Sequence, residues 1–204
     1  MAFEYARLLD DFNRSDANPL DGGYGYVSGS FQKLVSNTVA PTAAGDGRHN
    51  SIATGFGPVR DGGFFVEIAV FEDWQVIGCR WQSPSNGRNG YYFQHNNSNT
   101  NWDLRNYIND ADGTTIATGG GQSMSAGDAI GIQAIGNVIS GWIRMAGVWQ
   151  MVGQGTDTAF ASGYGAMEQA STAGNGRLDN FWGGALPVPG FTSRIRRSRG
   201  GVWT

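Results

Sequence analysis

Between Asp128 and Val152 the residue order admits only one regular structure. Ile130, Ile132 and Ala134 alternate with Gly131 and Gln133. Gly136-Asn137 then supplies a two-residue turn, since both residue types tolerate positive φ. The chain returns as Val138 to Met145, turns again at Ala146-Gly147 and continues as Val148 to Val152. A period of two, broken by tight turns, is the signature of a three-stranded antiparallel meander.

The same grammar runs through the rest of the sequence. Phe64 to Phe71 is a run of strand formers with Val66, Ile68 and Val70 on one face and Glu67 on the other. Val76 to Trp81, Tyr91 to His95 and Asn101 to Tyr107 follow, and in the last of these Trp102 and Leu104 alternate with Asp103 and Arg105. Asp110-Ala111-Asp112-Gly113 reads as a turn, Thr114 to Ala117 as a short strand, and Gly176 to Gly183 as the final element. No segment sustains a helical period over three turns; Ala2 to Leu9 could form a single turn of helix. Turn signals every 8–12 residues or so indicate a β-sandwich or barrel. Composition agrees: 33 of 204 residues are Gly, about double the usual share. Gly78, Gly131 and Gly141 fall within strands, which suits strongly curved sheets. With 15% charged residues, no G-X-Y period and no long apolar run, a coiled coil, a collagen and a membrane-spanning helix are all excluded. The reading is one domain over residues 1–186 and an appended segment over 187–204.

Charge separates those two parts. Residues 1–190 hold ten cations against seventeen acids, a net −7, whereas Gly190 to Thr204 carries Arg194, Arg196, Arg197 and Arg199 with no acid. Pro187-Val188-Pro189-Gly190 forms a stiff exit, and Trp203 near the end is costly to leave in water. The expectation is a docking arm in which the four arginines meet acidic groups and Trp203 fills a pocket on a neighbouring subunit. The acidic body would repel phosphates, so nucleic acid is not an expected partner. Met1 to Arg7 shows no basic stretch followed by an apolar one, so no secretory leader is expected. Cys79, the single cysteine, allows no internal disulfide and reads as a small core residue.

Catalytic and metal motifs are sparse. Asp110-x-Asp112-Gly113 lacks the downstream bidentate acid of a calcium loop. Gly119-Gly120-Gly121 lacks the Lys-Ser/Thr of a phosphate loop, and no Gly-x-Ser-x-Gly elbow occurs. His49 and His95 are widely separated and have no cysteine partner for zinc. Glu67 and Glu72 are five apart, which points them to opposite faces of a strand and not to the spacing of about 5–5.5 Å that a retaining glycosidase needs. Sugar binding asks for flat aromatic faces beside fixed amide and charged groups. The segment Trp81 to Trp102 has that composition, with Arg88, Asn89 and Asn96 beside Tyr91, Tyr92, His95, Asn97 and Trp102. Those last five are the glycan-binding candidates.

Several of these residues resemble a known superfamily. Leu8-Leu9-Asp10-Asp11-Phe12-Asn13-Arg14-Ser15-Asp16 with Pro19-Leu20 is similar to the first strand and loop of concanavalin A-like domains in tailed-bacteriophage virion proteins. Gly127 to Ile132 and Val138 to Trp142 resemble central strands of the laminin-G-like branch, and Leu178 to Gly184 its closing strand. The likeness covers residues 8–186. It implies an all-β jelly-roll sandwich of two curved antiparallel sheets, concanavalin A-like lectin/glucanase in type, whose first and last strands pair. It also implies a structural Ca²⁺ near those strands, with Asp10, Asp11, Asp179 and Asn180 as ligands. The glucanase branch carries a Glu-x-Asp-x-x-Glu strand, which this sequence lacks, so no enzyme is expected. What the resemblance then implies is a virion structural protein, a capsid decoration or minor tail protein. It would be made in the host cytoplasm, assemble as a homo-oligomer such as a trimer, and dock on other virion proteins through the arm. The alternative is an adhesion module for a host surface glycan, and after that a polysaccharide hydrolase.

Overall fold

The protein is described here from a computed structural model, in which residues 6–25, 32–42, 45–72, 74–82, 87–96, 100–171 and 175–186 are placed. Fourteen strands run in chain order: β1 (Arg7–Asp10), β2 (Gln32–Val35), β3 (Thr38–Pro41), β4 (Gly45–Ile52), β5 (Gly62–Val70), β6 (Trp74–Trp81) and β7 (Gly90–Asn96), then β8 (Trp102–Ile108), β9 (Ala111–Gly119), β10 (Ala129–Ile135), β11 (Val138–Met145), β12 (Val148–Thr156), β13 (Tyr164–Ser171) and β14 (Arg177–Ala185). They form two antiparallel sheets. The eight-stranded sheet has the order β12-β11-β10-β5-β14-β3-β2, with β1 also on β14, and the six-stranded sheet has the order β4-β13-β6-β7-β8-β9. First and last strands do pair, Arg7 opposite Gly183 and Leu8 opposite Trp182.

Among the described residues four hairpins use two-residue turns. Ser36-Asn37, Asn109-Asp110 and Ala146-Gly147 carry positive φ at both positions, and Gly136 alone does so in the fourth; these primed turns match the twist of the strands they join. The expected turn at Asp110–Gly113 shifts back by one to two residues. Asp112 and Gly113 lie inside β9, because Ile108 pairs with Ala111 across Asn109-Asp110. The expected helical turn over Ala2–Leu9 is likewise corrected where it is described: Arg7 onward is strand. Pairing with the edge of β14 satisfies its backbone in a way an isolated helical turn could not.

The core lies between the sheets. Val66, Ile68, Ile130, Ile132, Ile139 and Ile143 come from the larger sheet, and Ile77, Cys79, Phe93, Leu104 and Met167 from the smaller, all at most 2% exposed. A side chain on Gly141 would overlap the Phe93 ring across the sandwich, so glycine there is what lets the two layers close. Arg80, at positive φ in a bulge of β6, is buried at the sandwich end and ties the layers together. Its guanidinium donates to the carbonyls of Arg60 (2.8 Å), Phe160 (3.0 Å) and Gly136 (2.7 Å), and lies 3.3 Å from the Asp61 carboxylate.

Candidate functional site

Strand β7 decides where the expected sugar-binding residues go, because its side chains alternate between two compartments. Tyr91, Phe93 and His95 point inward. The Tyr91 hydroxyl donates to Asp157 Oδ1 at 2.7 Å and accepts from the Phe160 N–H at 3.1 Å; burial pushes its pKa up to about 12. The His95 ring packs 5.2 Å from Phe71, its Nε2 lies 2.9 Å from the Gln122 carbonyl, and burial lowers its pKa to about 4. Trp102, opposite His95 on β8, packs inward against Phe93. Tyr91, His95 and Trp102 are at most 6% exposed, so their rings serve packing and offer no face to a sugar. Of the described candidates Tyr92 alone lies on the outer side of the sheet, and its ring too is fully buried there. Asn97 falls outside the described residues, as do Arg194, Arg196, Arg197, Arg199 and Trp203 of the expected arm.

The outer face of the six-stranded sheet carries a connected polar cluster on an aromatic floor. Trp81 lies where side chains on Gly78 or Gly90 would overlap it, and its indole N–H donates to the Tyr91 carbonyl at 2.9 Å. Its ring meets Tyr107 edge-on at 5.7 Å, and Tyr107 stacks on Tyr92 at 4.1 Å. Arg88 lies over the Tyr107 ring, 4.5 Å from its centroid, close enough for a cation–π contact. Fully buried Glu168 accepts from the Tyr107 hydroxyl at 3.1 Å and from Arg88 Nη1 at 3.4 Å. Arg88 also binds Asp110 through Nε at 3.1 Å. A buried carboxylate survives only with such compensation.

That contact fixes the curvature. Tyr107 on β8 and Glu168 on β13 are three strands apart, about 14 Å on a flat sheet. Both side chains must lean towards each other to close that gap, and a sheet curved towards this side, as in a jelly roll of two curved sheets, shortens it; this is the concave side. Towards β9 the same face opens to solvent. Arg105 lies 3.7 Å from Asp103 and 3.6 Å from Asp112. Tyr92 donates to Asp112 at 2.9 Å, and Gln94 to Asp103 at 3.1 Å. Arg88 and the outward side of β8 were legible in the sequence; Glu168 and Tyr107 were not, because nothing local marks them.

The proposed calcium ligands sit together where β1 meets β14, but they are otherwise engaged. Asp10 Oδ1 accepts from the Phe12 N–H at 2.8 Å and from Arg14 at 2.7 Å. Asp11 accepts from the Asn13 N–H, and Asp179 from the Asn180 N–H. The Asn180 amide donates to Glu67 at 2.9 Å, presenting its N–H₂ and not an oxygen. Among the described residues no three acidic, histidine or cysteine side chains converge as a cation would need, so these four do not fit the expected ion. The acid pair considered for hydrolysis is also divided. Glu67 is held by Arg144 at 2.8 Å, and Glu72 accepts from the Asn175 N–H.

No family model and no curated protein sequence matches the chain. Solved structures do. The carbohydrate-binding module CBM66 from Bacillus subtilis superposes with a TM-score of 0.60 at 12% identity, over 78% of this chain and 91% of that one. The fold is the concanavalin A-like jelly roll. The legume lectin-like domain from Entamoeba histolytica shares it (TM-score 0.58, 8% identity, 81% and 91% coverage), as does the Bacillus licheniformis β-glucanase (0.57, 11%, 87% and 97%). Identities this low establish the jelly roll and its two curved sheets, and leave function to the chemistry of the concave face.

Proposed function

We propose that this chain is a non-catalytic carbohydrate-binding module whose ligand lies along the concave face of the six-stranded sheet. The observation that carries the reading is Arg105, clamped between Asp103 and Asp112 on the open half of that face. Guanidinium groups only donate and carboxylates only accept, whereas a sugar hydroxyl does both. A row that alternates the two matches adjacent hydroxyls on one ring. Because ion pairs already hold these side chains, little freedom is lost on binding. Tyr92, Tyr107 and Trp81 lie beneath the row and stiffen it. Glu168, bound by Tyr107 and Arg88, anchors the floor and does not serve as an acid. The resemblance in fold to a carbohydrate-binding module and a lectin-like domain supports the same reading.

The test is a glycan array with the full chain, followed by calorimetry on the class that binds. Arg105→Ala and Asp103→Ala should each weaken binding by about ten-fold, or 1.4 kcal/mol, with Tm unchanged and no reducing sugar released by the wild type. Binding to no glycan class, or binding indifferent to both variants, refutes the assignment.

A further inference from the structure

The opposite side of the molecule, the outer face of the eight-stranded sheet, carries an aromatic row that the proposed function does not use. Leu8, Trp182 and Phe65 lie side by side on β1, β14 and β5, and Trp142 and Met151 continue the row on β11 and β12. Trp149 packs edge-on against Phe65 at 5.1 Å, under Arg144. Leu8 and Met151 at the two ends are 42% and 47% exposed. Apolar patches of this kind mark contact surfaces. Sugar is a poor occupant, because Phe65 and Trp182 stack on each other at 5.6 Å with planes 8° apart. Their faces are spent on one another, and only edges remain for a ligand.

We propose that residues 187–204 of this same chain fold back over this face and cover it. Four observations converge on that occupant. The described chain leaves β14 at Ala185–Leu186, three residues beyond Trp182. The 18 remaining residues reach about 60 Å when extended, while crossing from β14 to β12 takes four strand spacings, about 19 Å. The segment holds apolar Phe191, Ile195, Val202 and Trp203 on either side of and among four arginines, and no acid. The face is acidic along the same strands: Asp179 lies opposite Glu67, and both Glu67 and Asp11 are near enough to raise the Asp179 pKa, after burial as the main cause. Arg144 neutralises Glu67, which leaves Asp179 and Asp11 to attract the arm. Finally, the buried Trp182 indole N–H finds no acceptor among the described residues, and a crossing backbone carbonyl would supply one.

Limited trypsinolysis of the full chain tests this, read by intact mass at the Arg194, Arg196, Arg197 and Arg199 bonds. A covered arm is cut at least about ten-fold more slowly than a free peptide of residues 187–204, because cleavage tracks the open population. Met151→Arg, which blocks the row, and Asp179→Arg, which repels the arm without touching it, should each restore most of the peptide rate. Met151 is exposed and Asp179 half-buried on this face, and an unchanged Tm shows that the body still folds. Cleavage of the wild type at the peptide rate overturns the proposal. So does protection that survives both variants, or protection that grows with protein concentration, since the occupant would then be another molecule's arm.

Discussion

Acid should destabilise this fold through His95 in a way that can be isolated. The native ring is buried between the sheets, and burial lowers its pKa from 6.5 to about 4. The unfolded chain protonates His95 near its ordinary value, so below pH 6.5 the unfolded state binds a proton that the native state refuses. Stability is therefore complete above pH 6.5 and drains away as the pH falls toward 4. From the two pKa values the loss between pH 7 and pH 5 is about 2 kcal/mol, and by pH 4 it reaches about 3 kcal/mol. Urea unfolding at pH 7 and pH 5 gives the total change, to which the carboxylates also contribute. His95→Gln keeps an N–H for the Gln122 carbonyl but cannot titrate. Its loss between the two pH values should be smaller than that of the wild type by about 2 kcal/mol. Equal losses in the two proteins would show that His95 is either charged in the native state or reached by water, and would refute the buried neutral imidazole.

Two further outcomes follow from packing. Gly141→Ala places a methyl group in the Phe93 ring and should cost about 1–3 kcal/mol in chemical denaturation. The Cys79 thiol is buried, and burial pushes its pKa up to about 12. It should ignore an aromatic disulfide reagent in the native protein and react fully, one thiol per chain, in denaturant.

The hairpins were readable in the sequence because their turn residues act locally. Gly136-Asn137 and Ala146-Gly147 fix β10, β11 and β12 with no help from the rest of the chain. Strand β13 is not legible locally, because Tyr164-Gly165-Ala166-Met167-Glu168 mixes small and helix-favouring residues, and only its place between β4 and β6 makes it a strand. The same non-locality hid the candidate site. Glu168 meets partners 61 and 80 residues away, and no spacing rule connects them. On β7 the composition marks an aromatic group, but composition carries no sidedness; the two-residue alternation sends Tyr91 and His95 to the interior, where Trp102 of β8 joins them. The virion reading rests on the resemblance and on the arm; the similar structures share the fold and carry no virion context, and the arm lies outside the described residues. The jelly roll itself was anticipated because its first and last strands carry recognisable residues.

The alternation along β7 makes that strand a party wall. Tyr92 and Gln94 furnish one room, while Tyr91, Phe93 and His95 hold up the other. Changes at Tyr92 or Gln94 spare the core between the sheets but strike the buried cluster on the outer face, so a library for new specificities belongs on Asp103, Arg105 and Asp112 above that floor. One that scrambled every position would mostly yield unfolded protein.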